Sequence, residues 1–222
     1  MDLGDVNLAE KMAFELLENK GSSPETLERL ATTSLAKGHT ETAKVFLNAL
    51  EKHLVHGRHA RNLLQRLDSE SEFCSPEAEV LRSMMIAGTG AVFPVGEPAF
   101  LLQLLEHNGG NKMAFEYLMA FALLTRRPDK VAENIRRLPE LGYSEIPRLY
   151  EEAVLIYQVG TRTNVDLHGM QIAESTRQDF ARYLEMARTH GRDTAGLKRA
   201  MAPDFGNSFL YYMHFFESGV GR

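Results

Sequence analysis

The chain of 222 residues has a single cysteine, Cys74. One thiol permits no intrachain disulfide and no cysteine-based zinc site, which fits a reducing compartment. Basic excess is missing as well. The formal net charge is -5, and local clusters such as Arg126, Arg127, Arg136 and Arg137 do not reverse it, so a general nucleic-acid or anionic-membrane binder is disfavoured. Long apolar runs are also absent: LMAFALL at Leu118 to Leu124 and FLLQLL at Phe100 to Leu105 fall far short of the roughly 20 residues that span a bilayer. The N-terminus, MDLGDVNLAEKMAFELLENKG, is acidic where a secretory signal needs a basic region followed by an apolar one. A soluble chain that does not itself insert into a membrane is expected.

Strand-like alternation is scarce. AVFPV at Ala91 to Val95 is the one tempting stretch, and Pro94 inside it makes it a loop. The usual catalytic signatures are missing too. AGTGAVFPVGEP, Ala87 to Pro98, is glycine-rich but lacks Gly-Lys-Ser/Thr and a strand-to-helix setting, so it reads as a connector and not a phosphate loop. No nucleophile, base and orienter can be named together. Paired carboxylates such as Glu151 with Glu152 and Glu70 with Glu72 point in different directions on a helix and read as solvated faces. In HLVHGRH, His53, His56 and His59 read as solvated side chains at a helix end near its negative dipole, not as metal ligands. The expectation is no enzyme, no cofactor and no metal.

What the sequence does have is helical periodicity nearly everywhere, and 44% hydrophobic residues are enough for a real core. Leu8, Met12 and Leu16, with Ala9, Ala13 and Leu17, recur at three- and four-residue intervals. Phe115, Leu118, Met119, Ala122 and Leu123 do the same. Ser23-Pro24-Glu25 and Ser75-Pro76-Glu77 each supply a cap, a proline for the first helical position and a carboxylate at the positive dipole end. Pro128 with Asp129 opens another helix, and Gly38, Gly142 and Gly160 are expected stops. Together these signals predict about eight or nine helices of ordinary length. Segments near Leu8 to Glu18, Pro24 to Lys37, Thr40 to His53 and Asn111 to Leu138 should pair, and a longer helix should run from Met170 to Thr189.

Gly4 and Gly38, Ala9 and Ala43, and Leu16 and Leu50 lie 34 positions apart, the tetratricopeptide period. Small residues at such positions let helices approach closely, and Leu27, Leu30 and Ala31 occupy the corresponding first-helix places. The expected fold is therefore all-α: tetratricopeptide-like antiparallel helix pairs in a short right-handed array, an α-α superhelix. It is read as a single helical-repeat domain over 1–222 with an irregular connector at 87–98. Such arrays offer a concave surface, so a protein or peptide partner is expected at Glu25, Glu28, Thr32 and, in a weaker later copy, Glu116.

The aromatic stretch FLYYMHFF, Phe209 to Phe216, should be buried on two sides as a last helix or else offer a surface to a partner. Pro203 and Asp204 would break the chain before it, Asn207 would cap it, and Phe209, Tyr212 and Phe216 would pack on Phe180, Tyr183 and Leu184.

The segments AKVFLNALEKHLVHGRHA, NKMAFEYLMAFALLTRRPDKVAENIRRLPELGYSEIPRLYEEAVLIY and FGNSFLYYMHFF resemble the C-terminal region of an uncharacterised bacterial family, a domain of unknown function. That resemblance implies several membrane-spanning helices first and a tetratricopeptide-like region afterwards. By it, this chain would be the water-exposed part of an inner-membrane protein. The opening helix, Leu8 to Glu18, reads as the second half of a repeat without its partner, as in a fragment. Two functions follow as expectations: a non-catalytic scaffold for a protein or peptide, or the soluble lobe of a membrane enzyme or transporter whose active part lies elsewhere.

Overall fold

A computed structural model describes residues 6–70, 73–85, 98–191 and 193–216. Among these residues the protein is all-α, with twelve α-helices, one 3-10 turn and no strand. The chain divides into two compact units, 1–114 and 115–222. The connector expected at 87–98 lies outside the described residues except for Pro98, which opens a helix.

The first unit contains α1 (Val6–Lys20), α2 (Pro24–Ala36), α3 (Thr40–Leu50), α4 (Gly57–Ser69), α5 (Pro76–Met84) and α6 (Pro98–His107). Helix α2 is its centre, packed against α1, α3 and α5, while α4 packs on α3. Leu27, Leu35, Leu47, Leu50, Leu67 and Leu81 form the core, with Ala31, Ala43, Ala60 and Ala78 buried among them. Leucine supplies the apolar area and alanine lets the helices approach. Ala43 is wholly buried, whereas its expected counterpart Ala9 is half-buried and the buried small residue of α1 is Ala13. Met12 and Leu16 are exposed. The α1 periodicity thus holds, but its apolar stripe is wider than the face it buries.

Helix starts follow the local signals. Ser23 Oγ accepts the Thr26 amide at 3.2 Å and Ser75 Oγ accepts the Ala78 amide at 3.2 Å, each before a proline whose missing N–H costs nothing there. Gly38 ends α2 with φ +78°, its N–H bonded to Leu35 O and that of His39 to Ser34 O, a Schellman closure that needs the left-handed conformation. The end of α2 is also held from outside. Arg82 of α5 donates to Leu35 O at 2.7 Å and Ala36 O at 3.1 Å, placing a cation on its carbonyl end.

One expected helix end is a helix start. Helix α3 stops at Leu50, and α4 begins at Gly57 with His56 in its capping position. His56 and His59 therefore sit at the positive end of α4, not at a negative one. A Cβ at Gly57 would lie 2.3 Å from Glu51 O, so the tight chain reversal, and not a helix stop, requires this glycine.

The second unit holds α7 (Lys112–Leu124), whose first turn spans the division, α8 (Pro128–Asn134), the 3-10 turn Ile135–Arg137, α9 (Arg148–Thr161), α10 (Glu174–His190), α11 (Thr194–Phe205) and α12 (Phe209–Phe215). Helix α9 is central, in contact with α8, α10 and α12, and α11 lies against both α10 and α12. Gly142 takes the expected left-handed conformation at φ +76°, but Gly160 does not. It stays within α9, and the left-handed residue that ends the helix is Arg162 at φ +58°. Pro203 does not break the chain either. It lies inside α11, and α12 starts on Ser208 in place of Asn207: Ser208 Oγ accepts the Tyr211 amide at 3.1 Å.

Candidate functional site

Adjacent carboxylates on α9 organise the second unit. Glu151 and Glu152 were expected to be solvated, yet they are 3% and 0% exposed. A buried carboxylate must find donors, and each finds a different helix N-terminus. Glu151 accepts the Ala173 amide at 2.7 Å and the Thr176 hydroxyl at 2.5 Å, closing the start of α10. Glu152 accepts the Phe209 amide at 2.6 Å and the Leu210 amide at 3.4 Å, closing the start of α12. Its other oxygen takes Arg148 Nε at 3.0 Å, and that bond holds the guanidinium more firmly protonated than usual. Arg148 also reaches Asp179 on α10 at 3.0 Å. Negative charge at two positive dipole ends is favourable, so these acids have a structural explanation.

Helix α12 is fixed at its other end too. Arg126, at φ +58° in the turn after α7, donates to Met213 O and, at 2.8 Å, to Phe216 O. Tyr212 Oη donates to Leu124 O at 2.8 Å. On a third side, Tyr183 Oη and His214 Nδ1 lie 3.0 Å apart, and burial pushes the Tyr183 hydroxyl above its usual pKa.

This clamping leaves an apolar groove of 490 Å³ between the last turn of α7, Leu149 and α12. Leu123, Leu124, Leu149, Phe209, Tyr212 and Phe216 supply most of its wall. The aromatics form a stacked ladder, Phe209 on Tyr212 at 6.3 Å between centroids and Tyr212 on Phe216 at 5.5 Å. They share a face, as their spacing requires, but it is not the face expected against α10. The ring that meets Tyr183 is His214, while the Phe209 ladder faces the groove. Leu124 and Leu149 remain 61% and 42% exposed, so apolar surface is open to solvent here.

A second cavity of 790 Å³ lies beside the start of α10, where Arg148, Arg177, Gln171 and Glu174 mix with Ile146 and Met170. Its wall includes Leu167 and Met170 to Ala173 from the connection before α10, with Ile172 buried. Glu151 already occupies the anion position at that helix end. An incoming anion would meet a buried negative charge there.

Of the four partner-binding residues expected from sequence, Glu25, Glu28 and Thr32 lie in the first unit and Glu116, expected in a later copy, lies in the second. Glu28 and Thr32 line a cavity of only 70 Å³ in the first unit, and the Thr32 hydroxyl is turned onto Glu28 O at 2.9 Å. Glu28 lies 3.8 Å from His56 Nδ1. Glu25 is exposed at the α2 N-terminus, its carboxyl held below the usual range by its own backbone amide and by Ser23. Glu116 belongs to the second unit, where it accepts the Tyr143 hydroxyl at 2.8 Å. Burial, then Glu116, pushes that hydroxyl above its usual pKa.

Among the described residues no group of three or more His, Cys, Asp or Glu is placed to hold a metal ion. Nor is any helix among them long and apolar enough to cross a membrane.

The family of unknown function DUF6057 matches residues 1–216. The chain belongs to that family. No curated protein and no solved structure gave a significant match. Family membership therefore brings no activity with it, and the reading of this member rests on its own side chains.

Proposed function

We propose that this protein is a non-catalytic helical scaffold that binds a protein or peptide partner, and that the partner docks in the apolar groove along α12. The observation that carries the reading is the groove's wall: a stacked aromatic ladder with open leucines and no charged side chain among the lining residues. Such a surface gains free energy by covering apolar area, and the two hydroxyls in its wall, Ser208 and Tyr212, are both engaged by backbone groups. In this proposal the docking residues are those of the α12 groove and not Glu25, Glu28, Thr32 or Glu116. In the same proposal the paired helices are tetratricopeptide-like and form a short right-handed superhelix. The complete burial of Ala43 beside α2 supports that register. The family resemblance adds a membrane-anchored bacterial setting, in which the scaffold would hold its partner at the membrane surface.

Photo-crosslinking from a benzoylphenylalanine at position 149, with position 28 as the comparison, tests the assignment in cells that make the protein. A discrete protein adduct from 149 and none from 28 is the expected result. Adducts from 28 alone would return the site to the first unit.

A further inference from the structure

The groove is apolar along its length but not neutral at its end, and that asymmetry identifies the chemistry of what fits. At the Phe216 end two cations converge. Lys198 of α11 holds its ammonium 5.5 Å from the centre of the Phe216 ring, and Arg126 lies against the Phe216 carbonyl. Neither has a carboxylate partner among the described residues. Acids on the neighbouring elements are already engaged: Asp129 by Arg127, Asp204 by Arg182, and Glu152 buried under the α12 amides. Among the described residues the rim therefore carries positive charge without a carboxylate partner, beside an apolar wall, in a chain whose overall charge is negative. A cation held over an aromatic face keeps its charge available to an incoming anion.

We infer that the groove takes a short amphipathic segment of a partner protein whose apolar side chains cover Tyr212, Phe216, Leu124 and Leu149 beside the buried Phe209 and whose acidic residues lie at the Lys198 and Arg126 end. This rests on the docking reading above and adds the partner's charge pattern. The wall presents side chains instead of a strand edge, so the fitting mode is an apolar helical stripe laid into a groove. Acidic residues at one end fix its direction and steer its approach, while a segment with basic residues there is repelled.

A random-peptide phage selection on the whole 222-residue chain, followed by fluorescence polarisation of the enriched peptides, tests this. Apolar sequences with Asp or Glu on one flank should be enriched, and Lys198→Glu should weaken them at least tenfold while a Lys-flanked version of the same peptide regains binding. Enrichment of neutral or basic flanks, enrichment of nothing, or affinity unchanged by Lys198→Glu would overturn the inference. Leu149→Asp separates the two levels. If it abolishes binding while Lys198→Glu does not, only the charge pattern falls. If it leaves binding intact, the groove itself is not the site. Phosphatidylglycerol vesicles, or a second copy of the chain, engaging the groove in a Leu149-dependent way in place of peptides would also overturn the acidic segment as occupant.

Discussion

In the first unit, α2 and α5 start on Ser23 and Ser75, each serving an amide three residues ahead. In the second, α10 and α12 take carboxylates from α9, 22 and 57 residues away in sequence. Both arrangements satisfy orphan amides at a helix N-terminus, but they differ in what they connect. A local serine stabilises its own helix and leaves that helix free to pack as its apolar face dictates. A distant carboxylate fixes one helix to another, so Glu151 and Glu152 fix α9 to α10 and to α12. Buried carboxylates join helix starts in the second unit, whereas in the first the cross-helix bonds of Arg82 close a helix end beside the leucine and alanine packing; the groove lies beside one of the carboxylate joints.

The largest effect should follow from breaking a joint. Glu152→Ala leaves the Phe209 and Leu210 amides buried without their acceptor and Arg148 with Asp179 as its remaining carboxylate. Each unsatisfied buried group costs about 1–3 kcal/mol, so a loss of about 3–5 kcal/mol is expected in urea denaturation. Hydrogen exchange should show the loss first at α12, with the helices of the first unit protected as before. A variant as stable as the wild type would show that α12 is held by its aromatic packing and the Arg126 contacts alone.

The same joints mark how far the sequence could be read. Helix periodicity and local caps were legible: α2, α3 and α7 to α8 fall where spacing, serine-proline pairs and Gly38 put them. For Glu151 and Glu152 the premise was sound and the conclusion was not. Residues one apart on a helix do point about 100° apart, and that is why the pair can cap two different helices. No local pattern reveals that a helix N-terminus waits in each direction, because the partners are separated by whole elements. Gly160 fell one residue short as a stop: α9 runs to Thr161 and the left-handed cap is Arg162, within the ordinary uncertainty of a helix boundary. Asn207 lost the cap to Ser208, one residue on, within the ordinary uncertainty of a helix boundary. The aromatic ladder was legible as a face; what it faces depended on Glu152 and Arg126 setting the rotation of α12.

A middle-sized effect should come from the local caps. Ser23→Ala and Ser75→Ala each remove one acceptor from a half-buried or buried helix start and should each cost about 1 kcal/mol. The two losses should add when combined, because separate serines serve separate helices. A Glu151→Ala, Glu152→Ala double variant should not add in that way, since both side chains stand on one helix and each loss loosens the other's partner. Thermal or urea midpoints of the four single and two double variants test the contrast. Additivity in both pairs would mean that the carboxylates are as independent as the serines.

The smallest effect is electrostatic and separates an exposed acid from the buried ones. Asp129, in the first turn of α8, makes a two-point contact with Arg127 at 2.7 and 2.9 Å, and this bond holds its carboxyl below the usual carboxylate range. A folded-state pKa below the unfolded one, about 3.9, means that the stabilisation is complete above pH ~4. It is lost as pH falls through the depressed folded value. With the two side chains 54% and 40% exposed, solvent screens the pair, and the contribution should be at most about 0.5 kcal/mol. Asp129→Asn should therefore remove a small part of the stability difference between neutral and acidic pH, and salt on the order of 0.5 M should hide most of it. An acid-dependent loss in the wild type that persists undiminished in Asp129→Asn and ignores salt would assign that loss to other carboxylates. A difference well above 1 kcal/mol would show that the α8 start is far better shielded than its exposure implies.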